Sequence, residues 1–201
     1  MAKNSRYCTK FRRRRQGKTD YRARKAFILS GKPRLVTRSS INNIIAQIIA
    51  AKPRGDEVLV SAHSRELARY GWKAPRGNLP AAYLTGFLCG LKAKSHGIGE
   101  AILDIGLCPP SKSARIFAVL KGVLDAKVDL PHSEEKLPDE KRIKGEHIAK
   151  YAESLASTAE EYKSKFSKYL QQQIPPETLP KHFEQVKKEM TAAFKSRGKK
   201  N

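Results

Sequence analysis

Residues 35–62, LVTRSSINNIIAQIIAAKPRGDEVLVSA, set the architecture of this chain. The run holds three short apolar segments, rich in β-branched residues and separated by residues that turn the backbone. Leu35, Val36, Thr37 and Arg38 lead through Ser39 and Ser40 towards Asn42 and Asn43, and residues 44–49, IIAQII, follow. The turn Lys52, Pro53, Arg54, Gly55, Asp56 then feeds a third segment over 57–62. Three strands joined by short turns predict an antiparallel meander.

Downstream the hydrophobic period changes from that of a strand to that of a helix. Ser64 is expected to cap a short helix over 65–70, and Asn78 with Pro80 to open a longer one reaching about residue 93. Ala81, Leu84, Phe87, Leu88 and Leu91 form an apolar stripe on it, and Gly86 and Gly90 allow a neighbour to approach closely. Residues 101–105, AILDI, predict a buried strand, residues 113–126 a helix, and Val128 the start of a short fifth strand. The fold class is therefore α/β: a mixed sheet, made of the meander and a further strand, packed with helices.

A linker containing Leu130, Pro131, His132, Ser133 and then Lys136, Leu137, Pro138 precedes a change in composition. Residues 146–169 and 176–196 read as two largely polar helices with narrow apolar stripes, of the kind that lie on a larger body. Residues 195–201 suggest disorder. This divides the chain into a basic arm with a short helix over 1–32, an α/β core domain over 33–138 and a C-terminal helical extension over 139–201.

The arm carries the strongest functional signal. In residues 6–25, RYCTKFRRRRQGKTDYRARK, half of the positions are Lys or Arg and Asp20 alone is acidic. Tyr7, Phe11 and Tyr21 sit among the cations and offer stacking surfaces. Arginine outnumbers lysine, and guanidinium binds phosphate bidentately, which suits nucleic acid better than a diffuse acidic surface. Within the arm a helix is expected over 19–30, capped by Thr19 and stopped by Gly31 and Pro33. A nuclear localisation signal would need fewer cations and no rings, and a transit peptide would be Ser-rich and amphipathic. The formal charge of the whole chain is +22, a field that attracts phosphate backbones and makes affinity fall steeply with salt.

Other chemistries find less support. The three cysteines, Cys8, Cys89 and Cys108, are widely spaced and form no CxxC pair, so neither a disulfide framework nor a zinc knuckle is indicated. No apolar run of membrane-spanning length occurs and the N-terminus lacks a signal-peptide core, so neither membrane insertion nor secretion is expected. A two-metal nuclease needs several clustered carboxylates, and the strands offer only Asp104 and Glu57. No dinucleotide or P-loop spacing is present, and no enzyme activity or cofactor is expected.

The motifs LVTRSSINNIIAQII, VSAHSREL, the NLPAAY helix start, LDIGL, FAVLKG and LPHS, with KTDYRAR in the arm, occur in that order once KTDYRAR is placed first. Over about residues 6–150 the chain resembles the archaeal form of the universal large-subunit ribosomal protein family number eighteen, whose members bind 5S ribosomal RNA. The resemblance implies a ribonuclease-H-like topology and a cytoplasmic place in the central protuberance of the large ribosomal subunit. It also implies a bridge between 5S and large-subunit ribosomal RNA, beside neighbouring large-subunit proteins. By position it points to Arg12, Arg13, Arg14, Arg15, Lys18, Tyr21, Arg22 and Arg24 in the arm, and to Arg38, Ser39, Asn42, Asn43 and Gln47 in the sheet.

Beside these, Arg6, Tyr7, Lys10, Phe11, Thr19, Lys25 and Arg34 complete the candidate RNA-contacting set of the arm and first strand. Gln47 reads equally as an RNA contact and as a polar residue satisfied inside the fold, and Asn42 and Asn43 can simply make the turn. Trp72 can stack on a base or anchor the core. A general RNA chaperone or architectural nucleic-acid-binding protein shares the charge pattern and differs in predicting little preference among polyanions.

Overall fold

The computed structural model describes residues 4–198. Strands β1 (Arg34–Ser39), β2 (Ile44–Lys52), β3 (Gly55–His63) and β4 (Ile102–Asp104) form one sheet in the order β3-β2-β1-β4. The first three are antiparallel, and β4 returns parallel to β1. This is the expected mixed sheet, and the order is consistent with a ribonuclease-H-like topology.

Register follows from the period-two pattern, because successive side chains point to opposite faces. Leu35 pairs with Ile48, and Ala46 with Ala62, so these residues share one face with Ile44 and Val60 and are buried there. Val36 pairs with Gln47, which pairs with Ser61 on β3, and Arg38 pairs with Ile45; these residues share the other face. Two helices, α3 (Leu79–Ser95) and α4 (Arg115–Asp125), cover the first face. A helix of the arm covers only part of the second.

The free edge is β3, and it is blunted in three ways. Leu59 is an extra residue between Val58 and Val60, which face Ile49 and Ile48, so the strand is bulged. Lys92 Nζ donates to the Ser61 carbonyl at 2.8 Å, and the His63 N–H donates to Glu66 at 3.0 Å. An edge so occupied resists pairing with another strand.

Asn78 caps α3 as expected, its side chain accepting from the Ala81 N–H at 2.9 Å. The helix is buried almost all round rather than along one stripe, because the sheet, α4 and the C-terminal helices pack on different sides of it. Glycines set its closest approach. A Cβ on Gly86 would lie 2.1 Å from the Val119 carbonyl oxygen, and one on Gly122 would lie 2.2 Å from that of Tyr83. Burial pushes the Cys89 thiol in this helix up to about 12, leaving it a small apolar core residue.

Several local expectations are corrected. Asp20, not Thr19, caps the arm helix α2 (Tyr21–Ser30), accepting from the Arg22 and Ala23 N–H groups. Its carboxylate reaches both donors, while the Thr19 hydroxyl accepts from Arg13 Nε at 2.8 Å. His63 rather than Ser64 caps the 3-10 turn Ser64–Tyr70, because the Ser64 hydroxyl is buried and accepts from the Ile44 N–H. No fifth strand starts at Val128; Glu100 and Asp129 make an isolated bridge. The 101–105 strand shortens to β4 and is half-buried, since it forms the other edge.

The C-terminal part is more broken than two helices. It comprises α5 (Glu140–Lys144), α6 (Glu146–Leu155), α7 (Ala159–Lys165), α8 (Ser167–Gln171) and α9 (Leu179–Gly198). The body on which these helices lie is the α3–α4 layer. Leu179, Phe183, Val186 and Met190 of α9 join the same apolar core as Tyr83 and Phe87. Lys187 lies 4.8 Å from the centre of the Tyr83 ring and donates to its hydroxyl, which donates in turn to Asp125. Helix α9 continues through Lys195, where the sequence suggested disorder; the end of that segment, residues 199–201, lies outside the described residues.

Candidate nucleic-acid interface

The arm lies on the sheet face that α3 and α4 leave uncovered. Its first helical turn, α1 (Arg12–Arg15), buries no residue. Phe11 and Tyr21 pack together with ring centres 5.0 Å apart, pinning α1 to the start of α2, yet Phe11 stays 69% exposed and Tyr7 54%. Arg6, Lys10, Arg12, Arg14, Arg15, Lys18, Arg22 and Lys25 are exposed and make no ion pair among the described residues. Arg13 and Thr19 line one wall of a groove of about 740 Å³, with Arg38, Ser39 and Leu107 among its other walls.

An acidic knot ties α2 to the sheet. Asp56 pairs with Arg24 at 2.7 Å and with Arg34 at 2.6 Å, and Arg34 also pairs with Asp104. The side chains of Arg34 and Asp104 are only 11% and 13% exposed, and the guanidinium lies over the Phe27 ring. Arg34 and Arg24 are therefore corrected from RNA ligands to internal ties, because carboxylates already neutralise them. Asp104 and Glu57, the carboxylates weighed for a nuclease, are held by Arg34 and Lys52. Replacing Arg34 with glutamine strands Asp104 without its partner. We expect a loss of about 2 to 4 kcal/mol in urea unfolding and an unchanged salt dependence of RNA binding.

Beyond the knot the sheet face is open. Gln47 is half-exposed, and its amide donates to the Ser61 hydroxyl at 3.4 Å, so this polar pair lies on the surface rather than inside the fold. Arg38 is exposed beside it. Burial, with Arg65 and Arg76 nearby, lowers the pKa of His63, whose Nδ1 accepts from the Arg65 N–H. It is a cap rather than a base.

The β1–β2 turn brings Ser39, Asn42 and Asn43 to one end of this face. Asn43 makes the turn, its N–H donating to the Ser40 hydroxyl while its carbonyl accepts from the Ser40 N–H. Asn42 is exposed, and its side-chain oxygen accepts from Lys168 of α8 at 3.2 Å. Trp72 is corrected: it is 3% exposed and stacked on His182 with ring centres 5.2 Å apart, so neither face is free for a base.

Sequence reasoning missed Ser61, Arg65 and Arg76. The signal for Ser61 was the alternation in β3, which places it on the face of Gln47. Nothing local marked the two arginines, which the 3-10 turn and the loop before α3 bring to the sheet.

Residues 5–97 match the family model described as ribosomal large subunit proteins 60S L5 and 50S L18. The chain is also 54% identical over 190 residues to the large ribosomal subunit protein uL18 of Methanococcus maripaludis, covering 94% of this chain and 98% of that relative. The chain belongs to the uL18 family. Proteins of this family are structural constituents of the large ribosomal subunit and not enzymes. The matched uL18 segment contains the arm, the three-stranded meander and α3, so it holds the open sheet face, the acidic knot and the exposed cations together. Arg115 and Lys168, which touch the turn from outside that segment, lie within the span shared with the Methanococcus relative's near full length.

Proposed function

We propose that the chain binds 5S ribosomal RNA and bridges it to large-subunit ribosomal RNA in the central protuberance, beside neighbouring large-subunit proteins, in the cytoplasm. The observation that carries this reading is the row of unpaired arm cations next to a half-open sheet face, with the nearby carboxylates already neutralised from within. Arm cations replace counterions on phosphates and supply most of the affinity. Tyr7 and Phe11 present ring surface for unpaired bases. Arg38, Ser39, Asn42 and Gln47 present short polar groups at the height of a shallow RNA minor groove and its 2′-hydroxyls. In this assignment residues 1–32 are the binding arm, 33–138 the docking body and 139–201 a helical buttress.

A competition gel-shift at near-physiological salt tests it. The full chain should prefer 5S ribosomal RNA over transfer RNA and duplex DNA by at least about tenfold. Equal affinity for all three would support a general RNA chaperone instead.

A further inference from the structure

Ile41, at the tip of the β1–β2 turn, is 91% exposed, the most exposed of the large apolar residues described. A single exposed isoleucine is ordinary on a protein surface. This one is held by three distant parts of the chain. Arg115 of α4 donates to the carbonyl oxygens of Ser40 at 2.7 Å and Gly77 at 3.0 Å. Gly77 packs so tightly on the turn that a Cβ there would lie 2.3 Å from the Ile41 carbonyl oxygen. Lys168 reaches across from α8 to Asn42. A turn fixed by this many groups presents its tip in one position, and an isoleucine has little conformational freedom left to lose on contact.

The surroundings indicate the partner. Exposed Arg38 precedes the turn, and Lys168 flanks it; Arg65 and Arg76 lie beyond His63 at the same end of the sheet. Glu66, the acid nearest to them, is engaged by Lys92 at 2.6 Å. An apolar point among cations complements a surface that is apolar at its centre and anionic at its borders. The shallow minor groove of an RNA helix, with ribose and base edges between two phosphate rows, has that form.

We infer that Ile41 is a rigid apolar wedge that packs into the minor groove of a double-helical RNA segment, with Arg38 and Lys168 meeting the bordering phosphates. The inference rests on the RNA-binding reading above and adds a contact without charge. Arg115 and Gly77 are positioning residues for it. The arm then supplies affinity, and the wedge sets where along the RNA helix the body sits.

The test uses the full chain and 5S ribosomal RNA. Ile41→Ser should weaken binding about tenfold with the salt slope unchanged, since no ion is displaced by this contact. Ile41→Val should restore most of the loss. A benzophenone side chain at position 41 should crosslink to a base-paired stretch of the RNA. If the natural chain prefers 5S RNA while Ile41→Ser binds equally well, the wedge is overturned and the parent reading stands. Crosslinking to a protein rather than RNA in assembled subunits also overturns it. Should the natural chain show no preference for 5S RNA, both readings fall.

Discussion

Replacing Arg12, Arg13, Arg14, Arg15 and Lys18 with glutamine is expected to weaken 5S ribosomal RNA binding by about 10³-fold at near-physiological salt. The slope of log affinity against log salt should fall by about 4, one counterion for each phosphate no longer neutralised. The fold gives no reason for these cations other than an external anion. Helix α1 buries nothing, and the side-chain hydrogen bond from Arg13 to Thr19 is the only one recorded for the five. Circular dichroism and the urea midpoint should therefore stay unchanged. An unaltered salt slope would show that phosphate contacts lie elsewhere. Deleting residues 1–25 would be a poorer test, because it also removes Arg24 from Asp56 and takes the first turn from α2.

The second large effect is on stability. Gly122→Ala places a methyl group 2.2 Å from the Tyr83 carbonyl oxygen and 2.6 Å from the Phe87 nitrogen. Both are backbone atoms of a helix packed on all sides, so relief requires α3 and α4 to separate and open their shared core. A loss of about 3 to 5 kcal/mol in urea unfolding is expected. Gly99→Ala, where nothing lies within 4 Å, should change stability by less than about 0.5 kcal/mol. Equal effects from the two would contradict the packing described for this helix pair.

The meander was legible because β-branched runs and turn residues act locally, and its strand register follows from alternation alone. The strong cap at Asn78 was legible for the same reason. What could not be read were outcomes decided at a distance. Arg34 resembles any other basic residue until Asp56 and Asp104 are brought to its guanidinium by two separate strands. Trp72 becomes a core residue only because His182, more than a hundred positions later, stacks on it. Arg115 had the look of a surface cation, yet its donors close on two backbone carbonyls of distant loops. The segment read as one helix over 146–169 breaks after Leu155 and again at Phe166, where aromatic packing of Phe166 against Tyr162 and Tyr169 outweighs helix continuity. The arm, by contrast, was legible as an RNA-binding element because charge density needs no tertiary context.

The two faces of the sheet divide the work. The face under α3 and α4 supplies the core, and the acidic knot spends its carboxylates on internal arginines, leaving the outer surface cationic. That division is what the site owes to the fold.

The most direct measurement is a titration of unlabelled 5S ribosomal RNA into ¹⁵N-labelled full-length protein, followed amide by amide. The largest shifts and broadening should fall on the arm and on Arg38, Asn42, Gln47 and Ser61, with the buried Trp72 indole and the outer surface of α9 little changed. Perturbation confined to the C-terminal helices, with the arm amides unmoved, would contradict the account.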